Sequence, residues 1–150
     1  MDTFEQNLNH VLVDTFNYIL KYEETSLKKI LKIPVTITEA HMIEAVGRQE
    51  NQETTVSGIA AYLGIAMPTA TVAVQKLENK GFIKKVPCVN DGRRTIISLT
   101  DTGKRVERTH RLFHEKMVRN ISGQFADAEK EVLLHAVIML REFFKEKTEA

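Results

Sequence analysis

The chain has 150 residues, 43% hydrophobic and 27% charged, with a formal net charge of +1. That profile suits one ordinary domain able to bury its own core, and excludes a disordered or fibrous chain. The single cysteine, Cys88, allows no internal disulfide framework and fits a reducing cytosol; no apolar run approaches the roughly 20 residues that span a bilayer. The opening Met1-Asp2-Thr3-Phe4-Glu5 is acidic where a signal peptide needs basic residues, so the expected location is the cytoplasm.

From Phe4 to about Lys32, apolar residues recur at Leu8, Leu12, Phe16, Ile19-Leu20, Leu27 and Ile30-Leu31. This spacing predicts one long amphipathic helix, closed by Pro34. Thr36-x-x-Glu39 has capping-box spacing, and a second helix should run through Val46 to Gly47, followed by a polar linker from Arg48 to Thr54. Next, Val56, Ile59, Ala60 and Leu63 line a short helix stopped by Gly64. Pro68 starts another helix, which buries Ala70, Val74 and Leu77 and ends at Gly81. Two helices joined by a turn of about 3–4 residues read as a helix-turn-helix. The period then drops to about 2. Phe82-Ile83 and Val86 form one strand, Ile96-Ile97 and Leu99 its partner, with Asn90-Asp91-Gly92 as turn residues. Thr100 should cap a long helix reaching about Asn120, and a last helix should span about Asp127 to Lys147. The expected fold is mainly α: a winged helix-turn-helix core over about 36–100, flanked by dimerisation helices over about 4–32 and 101–147, all in one domain of residues 1–150. The apolar stripes on the flanking helices exceed what one small domain can cover, which predicts a homodimer.

Charge is unevenly spread. Residues 61–99 carry six basic side chains against two acidic ones, whereas residues 1–60 are net acidic. A basic middle is the footprint of a polyanion-binding surface. Arg93 and Arg94 stand beside the tip of the predicted hairpin. A narrow tip can enter a minor groove, and arginine suits its negative potential better than lysine. Asp91, two residues before Arg93, could hold that guanidinium in one orientation. On the second helix of the pair, Thr69 and Thr71 can reach phosphate or base edges, Gln75 can pair with adenine, Val72 can touch a thymine methyl, and Lys76 adds charge. Asp91, Arg93 and Arg94 with these five are the expected DNA-binding residues.

The stretch Thr54 to Lys104 resembles the core of the MarR family of transcriptional regulators. The resemblance rests on Leu63-Gly64-Ile65, Leu77-Glu78-x-Lys80-Gly81-Phe82, Asp91-x-Arg93 and Leu99-Thr100-x-x-Gly103. It implies a homodimer on a pseudo-palindromic double-stranded DNA operator. Three further segments are most similar to the fatty-acid-synthesis repressors of that family: Glu23-Glu24-x-x-Leu27, Thr38-Glu39-Ala40-His41-Met42-Ile43 and His110-x-x-Phe113-His114-x-x-Met117-Val118. This branch implies a long-chain acyl corepressor carried on acyl carrier protein, with Lys28, Lys29 and Lys32 available to an acidic carrier.

His41, His110 and His114 are the expected effector-pocket residues. No metal or other cofactor is expected. The alternative is a zinc-responsive regulator using the same histidines, with Glu24 as a possible further ligand. Another is a winged helix that binds protein, against which the cations Lys84, Lys85, Arg93 and Arg94 argue. Cys88 should be an inert, partly buried thiol. No phosphate-cradling glycine loop and no nucleophile elbow is present, so no enzyme is expected.

Overall fold

The computed structural model describes residues 1–49 and 54–149. The elements are α1 (Thr3–Leu31), α2 (Ile37–Arg48), α3 (Val56–Leu63), α4 (Met67–Asn79), β1 (Ile83–Pro87), β2 (Thr95–Leu99), α5 (Asp101–Ser122) and α6 (Asp127–Glu149). This is the winged helix-turn-helix order that the sequence predicts. The contacts gather into two compact units, Met1–Phe113 and His114–Ala150. Most of the predicted polar linker, residues 50–53, lies outside the described residues; Arg48 instead completes α2.

Helix α1 opens on a capping box. The Glu5 amide donates to Asp2 Oδ1 at 2.8 Å and the Asp2 amide to Glu5 Oε2 at 3.0 Å. It closes at Lys32 in the left-handed region (φ 55°), with the Lys32 amide bonded to the Lys28 carbonyl at 3.0 Å, before Pro34 takes effect. Only Glu23, Leu27 and Leu31 of α1 are buried. The apolar stripe of its first half, including Leu8, Phe16 and Ile19, is exposed in the single chain.

The core of the first unit sits under the lower end of α1. Leu27 and Leu31 meet Val35, Ile43 and Val46, then Ile59 of α3 and Val74 and Leu77 of α4; Ile83, Ile97 and Leu99 close it from the hairpin, and Val106 from α5. Strands β1 and β2 pair antiparallel with Ile83 opposite Leu99 and Lys85 opposite Ile97. Val86 lies on the other face and is exposed.

The joint between hairpin and helices explains the Thr100-x-x-Gly103 signature. Thr100 Oγ1 donates to the Gly81 carbonyl at 2.6 Å and accepts from the Gly103 amide at 3.1 Å. The Thr100 amide reaches the Phe82 carbonyl at 3.1 Å. Gly81 itself adopts φ 80°, a conformation that glycine takes freely and a side chain resists.

A second anchor joins α2 to the end of α4. Glu39 is buried; its Oε1 accepts from Lys80 Nζ at 2.7 Å and lies 3.8 Å from Lys76 Nζ, while its Oε2 accepts from the Thr36 amide at 3.1 Å. Burial pushes the Glu39 carboxyl up. The Lys80 and Thr36 hydrogen bonds, with the positive charges of Lys80 and Lys76, outweigh it and hold the group below its ordinary value of 4.5. A depressed carboxylate contributes stability that is complete above its unfolded value and is lost as pH falls through the folded one. Thermal unfolding of Glu39→Gln should therefore show a deficit of about 1.5 kcal/mol at pH 7 that shrinks below pH 4.5. A deficit that does not change between pH 7 and pH 3 would contradict this role.

The second unit contains the end of α5 and α6. No residue of α6 is buried, and Val132, Val137, Phe143 and Phe144 are among its exposed apolar residues. No single helix among the described residues is long and apolar enough to cross a membrane.

Candidate nucleic-acid interface and effector cluster

Helix α4 starts with Pro68 in its first turn and no side-chain cap, which leaves its first amides available to an anion. Ala70, Val74 and Leu77 turn into the core, and Thr69, Thr71, Val72, Gln75 and Lys76 are all exposed. These five do not form one patch. Val72, 70% exposed, stands near the crest of the helix. Gln75 lies on the side of the hairpin, where its Oε1 accepts from Lys85 Nζ at 3.1 Å and its Nε2 donates to Asn79 Oδ1 at 3.1 Å. Thr71, four residues earlier, shares that side and bonds the Met67 carbonyl at 2.9 Å. Thr69 and Lys76 lie on the side of α2. With Val72 they line a cavity of about 550 Å³ whose walls also include Thr36, Thr38, Met42, Ala73 and Leu77.

At the wing, the turn is set one step later than the sequence reading places it. The Arg94 amide bonds the Asp91 carbonyl at 3.0 Å, so Gly92 and Arg93 are its central residues. The Cys88 amide closes the loop on the Arg94 carbonyl at 2.9 Å. The expectation that Asp91 holds the Arg93 guanidinium is replaced by a backbone contact. Asp91 Oδ1 accepts from the Arg93 backbone amide at 3.0 Å. A short acidic side chain bonded two residues on is an Asx turn, and it shapes the backbone of the tip. Arg93 and Arg94 are exposed there, and Cys88 is buried beneath them. Lys84 and Lys85 extend the positive surface along β1.

His41 of α2 and His110 of α5 come together, with ring centres 5.3 Å apart. His114 opens the second unit and lines a surface hollow with Glu115, Val118, Arg119 and Ser122. The carboxylate that joins the first two is Glu23, not Glu24. Glu24 faces outward and pairs with Lys28 at 2.8 Å. Glu23 is 2% exposed; its Oε1 is paired with His110 Nε2 and lies 3.3 Å from His41 Nε2. The other ring nitrogen of His110, Nδ1, is 3.0 Å from Glu44 Oε2.

Two imidazoles and a carboxylate with ligand atoms within 4.8 Å of one another are a donor set that fits zinc. The sequence does carry a signal for Glu23. It stands at the helical spacing of Leu20, Leu27 and Leu31, an acid inside an apolar stripe. Glu44, Arg48 and Tyr62, which extend the polar cluster, carried none.

Residues 33–94 match the family model described as MarR family. The chain is similar in structure to FabT of Streptococcus pneumoniae in complex with DNA, with a TM-score of 0.86 and 29% identity over 95% of this chain and 98% of that one. It is also 28% identical over 116 residues to the transcriptional regulator ZitR of Lactococcus lactis subsp. cremoris, covering 75% of this chain and 78% of ZitR. The HTH-type regulator YhjH of Bacillus subtilis is 25% identical over 111 residues, 74% of this chain; the matched part spans only 62% of YhjH.

Proposed function

We infer that this chain is a DNA-binding repressor of the MarR type that grips a pseudo-palindromic operator as a homodimer; the match of residues 33–94 to the MarR family model supports the reading. It is not an enzyme; its relatives and its fold are those of regulators. In the proposed complex, α4 enters a major groove and the Arg93 tip follows the adjacent minor groove, once per half-site. The dimer is carried by the exposed stripes of α1 and α6, which a second copy would cover. Light scattering should give twice the 17.1 kDa chain mass at micromolar protein. A single-chain mass at every concentration would contradict the assembly.

The proposed regulatory role is repression of fatty-acid synthesis, with a long-chain acyl group on acyl carrier protein as corepressor. The likeness to FabT over nearly the whole chain is the observation that carries it. Two features support it further. The cavity between α2 and α4 offers Met42, Pro68, Val72, Ala73 and Leu77 as apolar lining beside polar Thr36, Thr38, Glu39, Thr69 and Lys76, so filling it would bear directly on DNA contacts. Lys29 and Lys32 are exposed at the end of α1, where an acidic carrier could dock, whereas Lys28 is tied to Glu24. A corepressor acts by binding the operator-competent state more tightly than the others.

A second reading, a zinc-responsive regulator, is favoured by the meeting of Glu23, His41 and His110. Zinc would supply a Lewis-acid cation held in common by α1, α2 and α5. Gel shifts with acylated carrier protein, with zinc and with chelator separate the two. Tightening by the acylated carrier in the presence of chelator supports the lipid reading. Tightening by zinc alone, with no effect of the carrier, supports the metal one.

A further inference from the structure

We propose that Glu44, Arg48 and Tyr62 form a polar relay that couples the Glu23–His41–His110 cluster to α3, the first helix of the helix-turn-helix. The inference rests on the metal-responsive reading of that cluster. Its geometry is a chain of paired groups. His110 pairs Nε2 with Glu23, and its Nδ1 lies 3.0 Å from Glu44 Oε2, close enough for charge attraction though not aligned as a hydrogen bond. Glu44 offers its other oxygen, Oε1, to Arg48 Nη2 at 2.6 Å. Arg48 in turn donates from Nη1 to the Tyr62 hydroxyl at 3.2 Å. The path thus runs from α1 through α5 and α2 to α3, all within the first unit.

Each middle member spends its two ends on two different partners, so a change at one end is felt at the other. A histidine that gives Nε2 to a cation donates its Nδ1–H to a second acceptor, and that acceptor fixes the ring and tunes its basicity. Glu44 is the carboxylate nearest that position here: its Oε2 stands 3.0 Å from Nδ1 as an ion-pair contact without hydrogen-bond geometry, and its side chain is 23% exposed, where charge–charge attraction is less screened than at the surface. A cation at the cluster would strengthen the pull of His110 on Glu44 and weaken its claim on Arg48. Arg48 and Tyr62 are both exposed, so this outer link is the one free to rearrange. Tyr62 lies one residue before Leu63, at the end of α3, and the α3–α4 turn follows directly. A shift there changes how α4 is presented to DNA. A merely structural role, with Glu44 and Arg48 supporting α2 as a surface pair four residues apart, would leave operator binding indifferent to the cluster.

The test uses the full-length protein, zinc chloride as probe, and a duplex selected in vitro with the parent protein. Zinc affinity is read by competition with a chromophoric chelator, operator affinity by anisotropy with and without zinc, and folding by thermal unfolding. The parent should bind zinc and shift its operator affinity by about fivefold or more, the usual scale of allosteric coupling. Tyr62→Phe removes one hydroxyl. It should keep the parent's zinc affinity and zinc-free operator affinity but lose most of the zinc-induced shift. Glu44→Gln should lower zinc affinity by about 10–100-fold. A Tyr62→Phe protein with the parent's full zinc response overturns the relay and leaves the metal reading standing. The relay is equally overturned if Tyr62→Phe weakens operator binding without zinc and melts early, the mark of a structural contact alone. A parent that takes up no zinc overturns the metal reading, and the relay with it.

Discussion

Gly103→Ala will melt far below the parent protein. A Cβ added at Gly103 would stand 2.0 Å from the Phe82 carbonyl oxygen, 3.0 Å from its carbon and 3.3 Å from Leu99 Cδ2. The nearest atom is backbone, so no side chain can swing aside. The first turn of α5 or the start of β1 must move instead. Either movement disturbs the Thr100 amide bond to the same Phe82 carbonyl, together with the Thr100 cap on the Gly103 amide. Overpacking of a close-packed joint costs about 3 kcal/mol when backbone must yield. For a chain of this size that is roughly 10 °C in Tm. Gly92→Ala is the matched control, because an added Cβ there meets nothing within 4 Å. Its Tm should stay within about 2 °C of the parent. Equal melting of both variants would show that the joint is looser than its distances imply.

Arg93→Ala will weaken operator binding by about 1–3 kcal/mol and leave the melting temperature unchanged. The separation of the two effects follows from the turn. Its shape is held by backbone and by Asp91: the carboxylate accepts from the Arg93 amide, and the Asp91 carbonyl from the Arg94 amide. None of these bonds uses the guanidinium, which is exposed at the tip. Removing it subtracts charge and reach from the groove contact and nothing from the hairpin. Anisotropy on an operator duplex, beside a thermal melt, reads both. Parent-like affinity would remove Arg93 from the interface.

Much of this was legible in the sequence because punctuation and period agreed. Gly64, Pro68 and Gly81 bracket α4, and the switch from helical to alternating spacing after Phe82 marks the hairpin. The departures have local causes. α1 ends at about Lys32 as the spacing predicts, but through a left-handed cap at Lys32 and not through Pro34 alone. The wing turn slid to Gly92-Arg93 because Asp91 spends its side chain on the backbone two residues ahead, and a guanidinium–carboxylate pair was the wrong inference from the same spacing. At the effector cluster, Glu23 and Glu24 differ only in which face of α1 they occupy. His41 and His110 were found, but Glu44, Arg48 and Tyr62 were not: a relay of contacts between α5, α2 and α3 leaves no spacing signature in any one helix.

Duplex DNA binding is proposed for the basic surface formed by α4 and the hairpin. The measurement closest to it is the salt dependence of that binding. Cations that neutralise phosphates release counterions, so the logarithm of the binding constant should fall linearly with the logarithm of salt concentration, with a slope of about −0.9 for each phosphate contact. The slope should be steep and negative for the parent and shallower by about 1 for each tip arginine removed, whether Arg93 or Arg94. An affinity that does not change with salt, or a slope that both substitutions leave intact, would contradict DNA binding by this surface.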